Sequence, residues 1–252
     1  MKEIYSHSSG CDEPVKYYNN HSFCNSTFNK TIEALTRATY GKIFVVNFEE
    51  HNVNYCPQSL LYINEFKCEY DKEHGICLNK NITVHADRRI LSIISKVLLP
   101  FYQQLSDDER ISYIINYDVH VMNEEKKEIL LNHKIIPIEL TQSGHIRTAI
   151  VHLSLSLQKS SGNIQISSHL SDIVWKYDLY QGKLLKTTKK KLTSKEIDVL
   201  RFYLQGLTIP EIADKIHLSV DTVKWHRRKL LEKLDVKNIS EALAYAVTNN
   251  FI

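Results

Sequence analysis

Two periodicities divide the chain. Residues 41–48, Gly-Lys-Ile-Phe-Val-Val-Asn-Phe, form a nearly continuous apolar run that ends at Glu49-Glu50-His51-Asn52. Such a run predicts a core strand, and Val53–Cys56, stopped by Pro57, predicts its antiparallel partner. From His145 to Leu157 the alternation has period two: Arg147, Ala149, Val151, Leu153, Leu155 and Leu157 against Ile146, Thr148, Ile150, His152, Ser154 and Ser156. That is a strand with one apolar face. Further strands are predicted over 114–122 and 134–141. Pro137 interrupts the second and places it near a sheet edge. Helices are predicted over 28–39, over 87–99 with a stop at Pro100, and over 107–115 behind a cap at Ser106.

Beyond Lys191 the apolar spacing changes to three and four. Leu192-Thr193-Ser194-Lys195-Glu196-Ile197 carries a helix start. Thr193 caps the first turn, Glu196 reaches back to it, and Leu192 and Ile197 flank the box as an apolar staple. Ile197, Leu200 and Leu204 are read as the buried stripe, and Gly206 as the stop. The same grammar recurs at Leu207-Thr208-Ile209-Pro210-Glu211-Ile212, with Pro210 in the first turn, where a missing N–H costs nothing. Its buried stripe is Ile209, Ile212, Ala213 and Ile216. A third start has Ser219 as cap and Asp221 in the first turn, where negative charge is favourable. That helix runs to about Leu234, and a fourth spans 240–248. Only His217, Leu218 and the cap separate the second helix from the third, which predicts a helix-turn-helix.

Charge follows the same division. From Lys183 onward there are 14 Lys/Arg and 8 Asp/Glu, a net of +6 (14 − 8). Residues 1–182 carry 18 basic and 21 acidic residues, a net of −3 (18 − 21). The excess gathers on the third helix, where Thr222, Lys224, His226, Arg227, Arg228 and Lys229 crowd together. A capped helix lined with cations fits a DNA major groove, its free amides and basic side chains meeting phosphate.

The motifs LTSKEIDVL (192–200), EIA (211–213), LSVDTVKWHRRKLLEKLDV (218–236), Asn238 and EALAYA (241–246) resemble the LuxR-type DNA-binding domain of bacterial transcription regulators. The chain departs from that pattern at Lys195, Pro210, Asp235 and Ile239. The resemblance implies a four-helix domain over 192–252 that binds double-stranded DNA through Ser219, Thr222, Val223, Lys224, His226, Arg227 and Lys229. Val223 has two readings, a thymine-methyl contact or a core residue. The resemblance also implies a homodimer paired through the fourth helix.

The earlier part, 28–180, resembles a PAS domain. The echoes are GKIFVVNFEEHNVNYCPQSL (41–60) and QSGHIRTAIVHLSLSL (142–157). This implies an antiparallel sheet flanked by helices, a sensing or dimerising role, and a place for a small-molecule ligand. Residues 181–191, ending in three lysines, read as a basic linker, with a last strand pair reaching Lys186 as the alternative. The fold class is therefore α+β.

The remaining chemistry is sparse. No apolar stretch approaches 18 residues, which argues against a membrane span. Five cysteines (11, 24, 56, 68, 77), odd in number and widely spaced, favour a reducing, cytoplasmic setting over a disulfide framework. Cys68, His74 and Cys77 lack the tight spacing of a zinc site. After Glu49-Glu50 no alternating strand–helix series follows, as a phosphoryl receiver would need. No nucleophile elbow, phosphate loop or dinucleotide motif is present, so the expectation is a regulator without enzymatic activity and no cofactor is assigned. Two other functions stay open: an adaptor whose basic bundle binds an acidic protein, and a ligand-modifying enzyme in the N-terminal part. The pattern does not give the signal, the operator, or the sign of regulation.

Overall fold

The computed structural model describes residues 26–39, 41–50, 52–55, 83–123, 125–249 and 251–252. The chain divides into two compact units. One holds the described residues up to Leu155 together with Ser160–Gly162, and the other holds Ser156–Lys159 and Asn163–Ile252. The expectations that fall on Cys11, Cys24, Cys56, Cys68, His74 and Cys77 lie outside the described residues.

In the first unit, α1 (Ser26–Ala38) precedes β1 (Lys42–Asn47) and β2 (Asn52–Tyr55). A short helical series follows: a 3-10 turn at His85–Asp87, α2 (Arg88–Ile93), a π turn (Ile94–Leu98), α3 (Leu99–Tyr102) and α4 (Asp107–Ser112). Three long strands complete the unit: β3 (Tyr113–Met122), β4 (Glu128–Leu140) and β5 (Ile146–Leu155). The spatial order is β2-β1-β5-β4-β3, with every adjacent pair antiparallel. Period-two alternation puts Ile115, Tyr117, Val119, Leu131, His133, Ile135, Val151 and Phe44 on one face, all of them buried. On the other face Ile43 and Val45 pack with Ile32 of α1 and Tyr55 of β2.

The fold of this unit corrects two expectations, one in the sheet and one in the helices. β4 does not lie at an edge; it runs between β5 and β3 and begins six residues before Lys134. Pro137 is tolerated because pairing with β3 ends at Ile115↔Ile135, and a register shift follows Pro137 on the β5 side. Its missing N–H therefore removes no ladder bond toward β3. The helix that was expected to stop at Pro100 continues to Tyr102. The wider π turn just before it accommodates a residue that has no amide hydrogen to donate.

Side chains lock the corners of this unit. Arg110 donates to the Gly144 carbonyl at 2.7 Å and the Tyr102 carbonyl at 3.2 Å, tying the β4–β5 turn to the helices. A Cβ on Gly144, at φ +78°, would stand 1.7 Å from Arg110 Nη1. Asp87 Oδ2 accepts from the His120 amide (2.6 Å) and pairs with His120 Nδ1 (2.8 Å), while Oδ1 accepts from Ser161 Oγ (2.7 Å).

The second unit opens with an antiparallel meander, β6 (Gly162–Ser168), β7 (Ile173–Asp178) and β8 (Lys183–Thr188). The segment read as a linker thus holds a strand, β8, as far as Thr188, paired antiparallel with β7 before it, in the manner of the alternative reading. Gly182, at φ +68°, closes the β7–β8 turn. The sequence Lys-Leu-Leu-Lys-Thr-Thr of β8 hid it, because it lacks period-two alternation and charged residues on an outer strand weaken the apolar pattern. Four helices follow: α5 (Ser194–Leu204), α6 (Ile209–Lys215), α7 (Val220–Leu234) and α8 (Ile239–Thr248).

Candidate nucleic-acid interface

Each helix of the bundle starts where its polar cap dictates. The Thr193 amide donates to Glu196 Oε2 at 2.7 Å, and Thr193 Oγ1 accepts from the Glu196 amide at 3.3 Å. The Thr208 amide and hydroxyl both donate to Glu211 Oε2, at 2.7 and 2.6 Å. These bonds hold the Glu211 carboxyl below the usual range. Ser219 Oγ accepts from the Thr222 amide at 3.1 Å. The fourth helix begins one residue earlier than expected, because Asn238 Oδ1 takes the Glu241 amide at 2.9 Å.

Two apolar clusters fix α7. Val223 packs with Val199, Ile212 and Ala213, and Leu230 and Leu234 pack with Leu200, Ala242 and Ala246. The α5 stripe differs from the one expected: Val199 and Leu200 are buried, whereas Leu204 is 59% exposed. The turn into α7 is made by His217 in the left-handed region, at φ +55°. At the far end the Lys190 ammonium donates to the Leu234 carbonyl at 2.7 Å and lies 5.4 Å from the Tyr245 ring centroid. It thereby satisfies one of the terminal carbonyls that a helix leaves free. Asp235 ends the helix at φ +53°, a conformation that favours glycine.

With Val223, Leu230 and Leu234 inward, the helical period turns an arc of α7 outward. Lys224, Trp225 and Arg228 lie on it, 57%, 47% and 67% exposed. Lys229 and Thr222 flank them, partly exposed, and Ser219 and Asp221 are exposed at the start. Exposed ion pairs along the helix hold the cations loosely. Lys224 pairs with Asp221 at 3.1 Å, Lys229 with Glu232 at 2.7 Å, and Arg228 with Glu232 at 3.9 Å. Such pairs contribute little and yield readily to a stronger anion.

The seven residues singled out from the sequence do not form one surface. Ser219, Thr222, Lys224 and Lys229 lie together toward solvent. Val223 is 0% exposed, so of its two readings the structure takes the core one. A valine at the fourth helical position faces the staple residue Leu218, which packs on the same cluster. His226 and Arg227 are half-buried on either side of the core stripe, with His226 Nδ1 and Arg227 Nε buried and without hydrogen-bond partners among the described residues. The His226 ring meets Trp225 edge-on at 4.9 Å. Arg227 is close enough to Tyr203 of α5 to oppose the upward push that burial gives its hydroxyl.

Arg228 and Trp225, which the sequence reading did not place among the DNA-contacting residues, lie on the same exposed arc as Lys224. The signal was available: Arg228 stands four after Lys224, one turn along the same face.

Residues 190–246 match the pattern of the family described as bacterial regulatory proteins, luxR family. Among curated proteins, the chain is 37% identical over 62 residues to the HTH-type transcriptional regulator AlkS of Alcanivorax borkumensis, covering 25% of this chain and 7% of that protein. It is 36% identical over 61 residues to the response regulator protein VraR of Staphylococcus aureus, covering 24% and 29%. The chain thus spans less than a third of the length of either relative. Among solved structures, the phage VqmA–DPO complex aligns over 90% of this chain and 91% of its own, at 13% identity and a TM-score of 0.32. The response regulator ChrA aligns over 26% and 33%, at 32% identity and a TM-score of 0.25. No helix among the described residues is long and apolar enough to cross a membrane. Capped helices α5–α8, the tight α6–α7 turn and the matched segment agree: residues 190–246 are a helix-turn-helix domain of the luxR type.

Proposed function

We propose that the chain is a sequence-specific, DNA-binding transcription regulator acting in the cytoplasm as a homodimer, with α7 as its reading helix. One observation carries this: a capped helix fixed through Val223, Leu230 and Leu234 presents Lys224, Trp225 and Arg228 outward on a single arc. Ser219 and Thr222 bring the free amides of the first turn to a phosphate, and Lys229 adds a second phosphate contact. Lys224 and Arg228 reach phosphates or guanine edges, and Trp225 offers an apolar face to a thymine methyl. His226 and Arg227 support the helix from its flanks. Two copies meet through α8, whose Leu243 and Val247 are not fully covered.

The first unit is, in this reading, a PAS-like module that senses a small molecule or dimerises. Support comes from the order β2-β1-β5-β4-β3, with the helices inserted between β2 and β3.

Selection of bound sequences from a random duplex pool tests the reading. Enrichment of a two-fold symmetric pair of half-sites is the expected result. Absence of enrichment at low salt would overturn it, and retention of an acidic protein in its place would favour the adaptor.

A further inference from the structure

Tyr117 and His133 face each other across the β3–β4 ladder in the middle of the first unit's sheet. Their rings are parallel within 7°, centroids 4.9 Å apart, and neither residue has any exposed surface. Tyr117 Oη and both ring nitrogens of His133 are buried without a partner in good hydrogen-bond geometry among the described residues, the Leu131 backbone coming nearest to the imidazole. Their neighbours on the same face, Ile115, Val119, Leu131 and Ile135, are fully buried and apolar, and none has a polar side-chain atom to offer.

Buried polar atoms are ordinarily paired, and each orphan needs an account. A tyrosine that served only as packing could be a phenylalanine, and a stacked imidazole could be another ring, without leaving donors and acceptors unmatched. Such atoms on a cross-strand pair of one face are groups that a small polar molecule can satisfy. We propose that Tyr117 and His133 form the recognition pair for a small, uncharged molecule that carries one hydrogen-bond donor and one acceptor. This deepens the sensing role proposed for the first unit and rests on that reading. The Tyr117 hydroxyl donates to the ligand's acceptor, and the unprotonated ring nitrogen of His133 accepts from its donor. An anion or cation at this depth would be an uncompensated buried charge, so the pair selects neutral molecules. Burial agrees, pushing the Tyr117 hydroxyl up and the His133 imidazole down to about 3, against a weaker opposing pull from the Leu131 backbone.

The test uses the full chain with three probes: δ-valerolactam (uncharged, one N–H and one C=O), pentanoate and toluene. At about ten times its Kd, δ-valerolactam raises the unfolding temperature by about 2–4 °C, and the other two do not. Tyr117→Phe unfolds no lower than the parent without probe, since its orphan hydroxyl is gone, and it loses the lactam shift. His133→Phe loses the shift too. Both variants keep the parent's affinity for a selected duplex, so failure here is separable from failure of the DNA-binding reading. A clearly destabilised Tyr117→Phe would show that the hydroxyl already has a structural partner and would overturn the proposal. So would equal shifts from all three probes, a lactam shift that survives both substitutions, or no shift from any probe, which leaves only trapped water.

Discussion

The Lys233 ammonium, near the end of α7, donates to the buried carboxylate of Glu196 in the first turn of α5, at 2.8 Å. The same carboxylate takes the Thr193 amide, so one side chain caps α5 and anchors the far end of α7. Burial alone would raise the Glu196 carboxyl. The Lys233 and Thr193 hydrogen bonds outweigh it and hold the group below the usual carboxylate range. A depressed carboxyl contributes stability above its unfolded value and loses it as pH falls through the folded one. Glu196→Ala should therefore cost the helical domain about 2 kcal/mol at neutral pH, measured by urea unfolding. Lys233→Met should shift acid unfolding toward higher pH. An unchanged acid midpoint in Lys233→Met would show that the pair contributes nothing.

Asp235 offers a gain of stability. At φ +53° it occupies a conformation that glycine adopts freely. Asp235→Gly should stabilise the domain by up to about 1 kcal/mol, less whatever its attraction to Lys190 supplies. Thermal unfolding reads this directly, and a lower midpoint would mean that the Lys190 attraction dominates.

His133 predicts a pH dependence in the first unit. Its imidazole is held down to about 3 by burial, against an ordinary value of 6.5. The unfolded chain therefore binds a proton that the folded chain refuses. Stability is full above about 6.5 and falls by about 1.4 kcal/mol per pH unit between there and about 3. Denaturant unfolding from pH 7 to 5 should be flatter in His133→Phe than in the parent. Identical slopes would place the proton elsewhere.

Gly144 predicts a local failure. A methyl group there would collide with Arg110 Nη1, and the backbone sits at φ +78°. Gly144→Ala should displace Arg110 from the Gly144 and Tyr102 carbonyls and destabilise the first unit by about 2 kcal/mol, while a selected duplex is still bound. An unfolding midpoint equal to the parent's would contradict this.

Legibility followed the local physics. The capped starts at Thr193, Thr208 and Ser219 are encoded within four residues each, and the structure places all three where the sequence does. The β1–β2 hairpin was legible from the apolar run Ile43–Val46 and the turn after it, and β5 from its alternation, with Ala149, Val151, Leu153 and Leu155 on one face. Pro137 misled because a proline rule concerns one N–H and not the whole strand. β8 was obscured because Lys183, Lys186 and the threonines mask its pairing with β7. On α7 the charges were visible at once, but their division was not. Val223, His226 and Arg227 turn toward the core by helical phase, and that phase is fixed by contacts with Val199, Ile212 and Ala213 that lie outside the helix's own sequence. The orphaned Tyr117–His133 pair required the β3–β4 register, which links residues 16 apart.

The central claim is that the outward arc of α7 meets DNA. The most direct test is the salt dependence of the full chain's affinity for a selected duplex, compared with Lys224→Ala and Arg228→Ala. Each substitution should weaken binding and, where the lost contact was to phosphate, lower the slope of log K against log salt by about 0.9. An exposed control such as Lys215→Ala should change neither. Parent-like affinity and slope in both α7 variants would contradict the account.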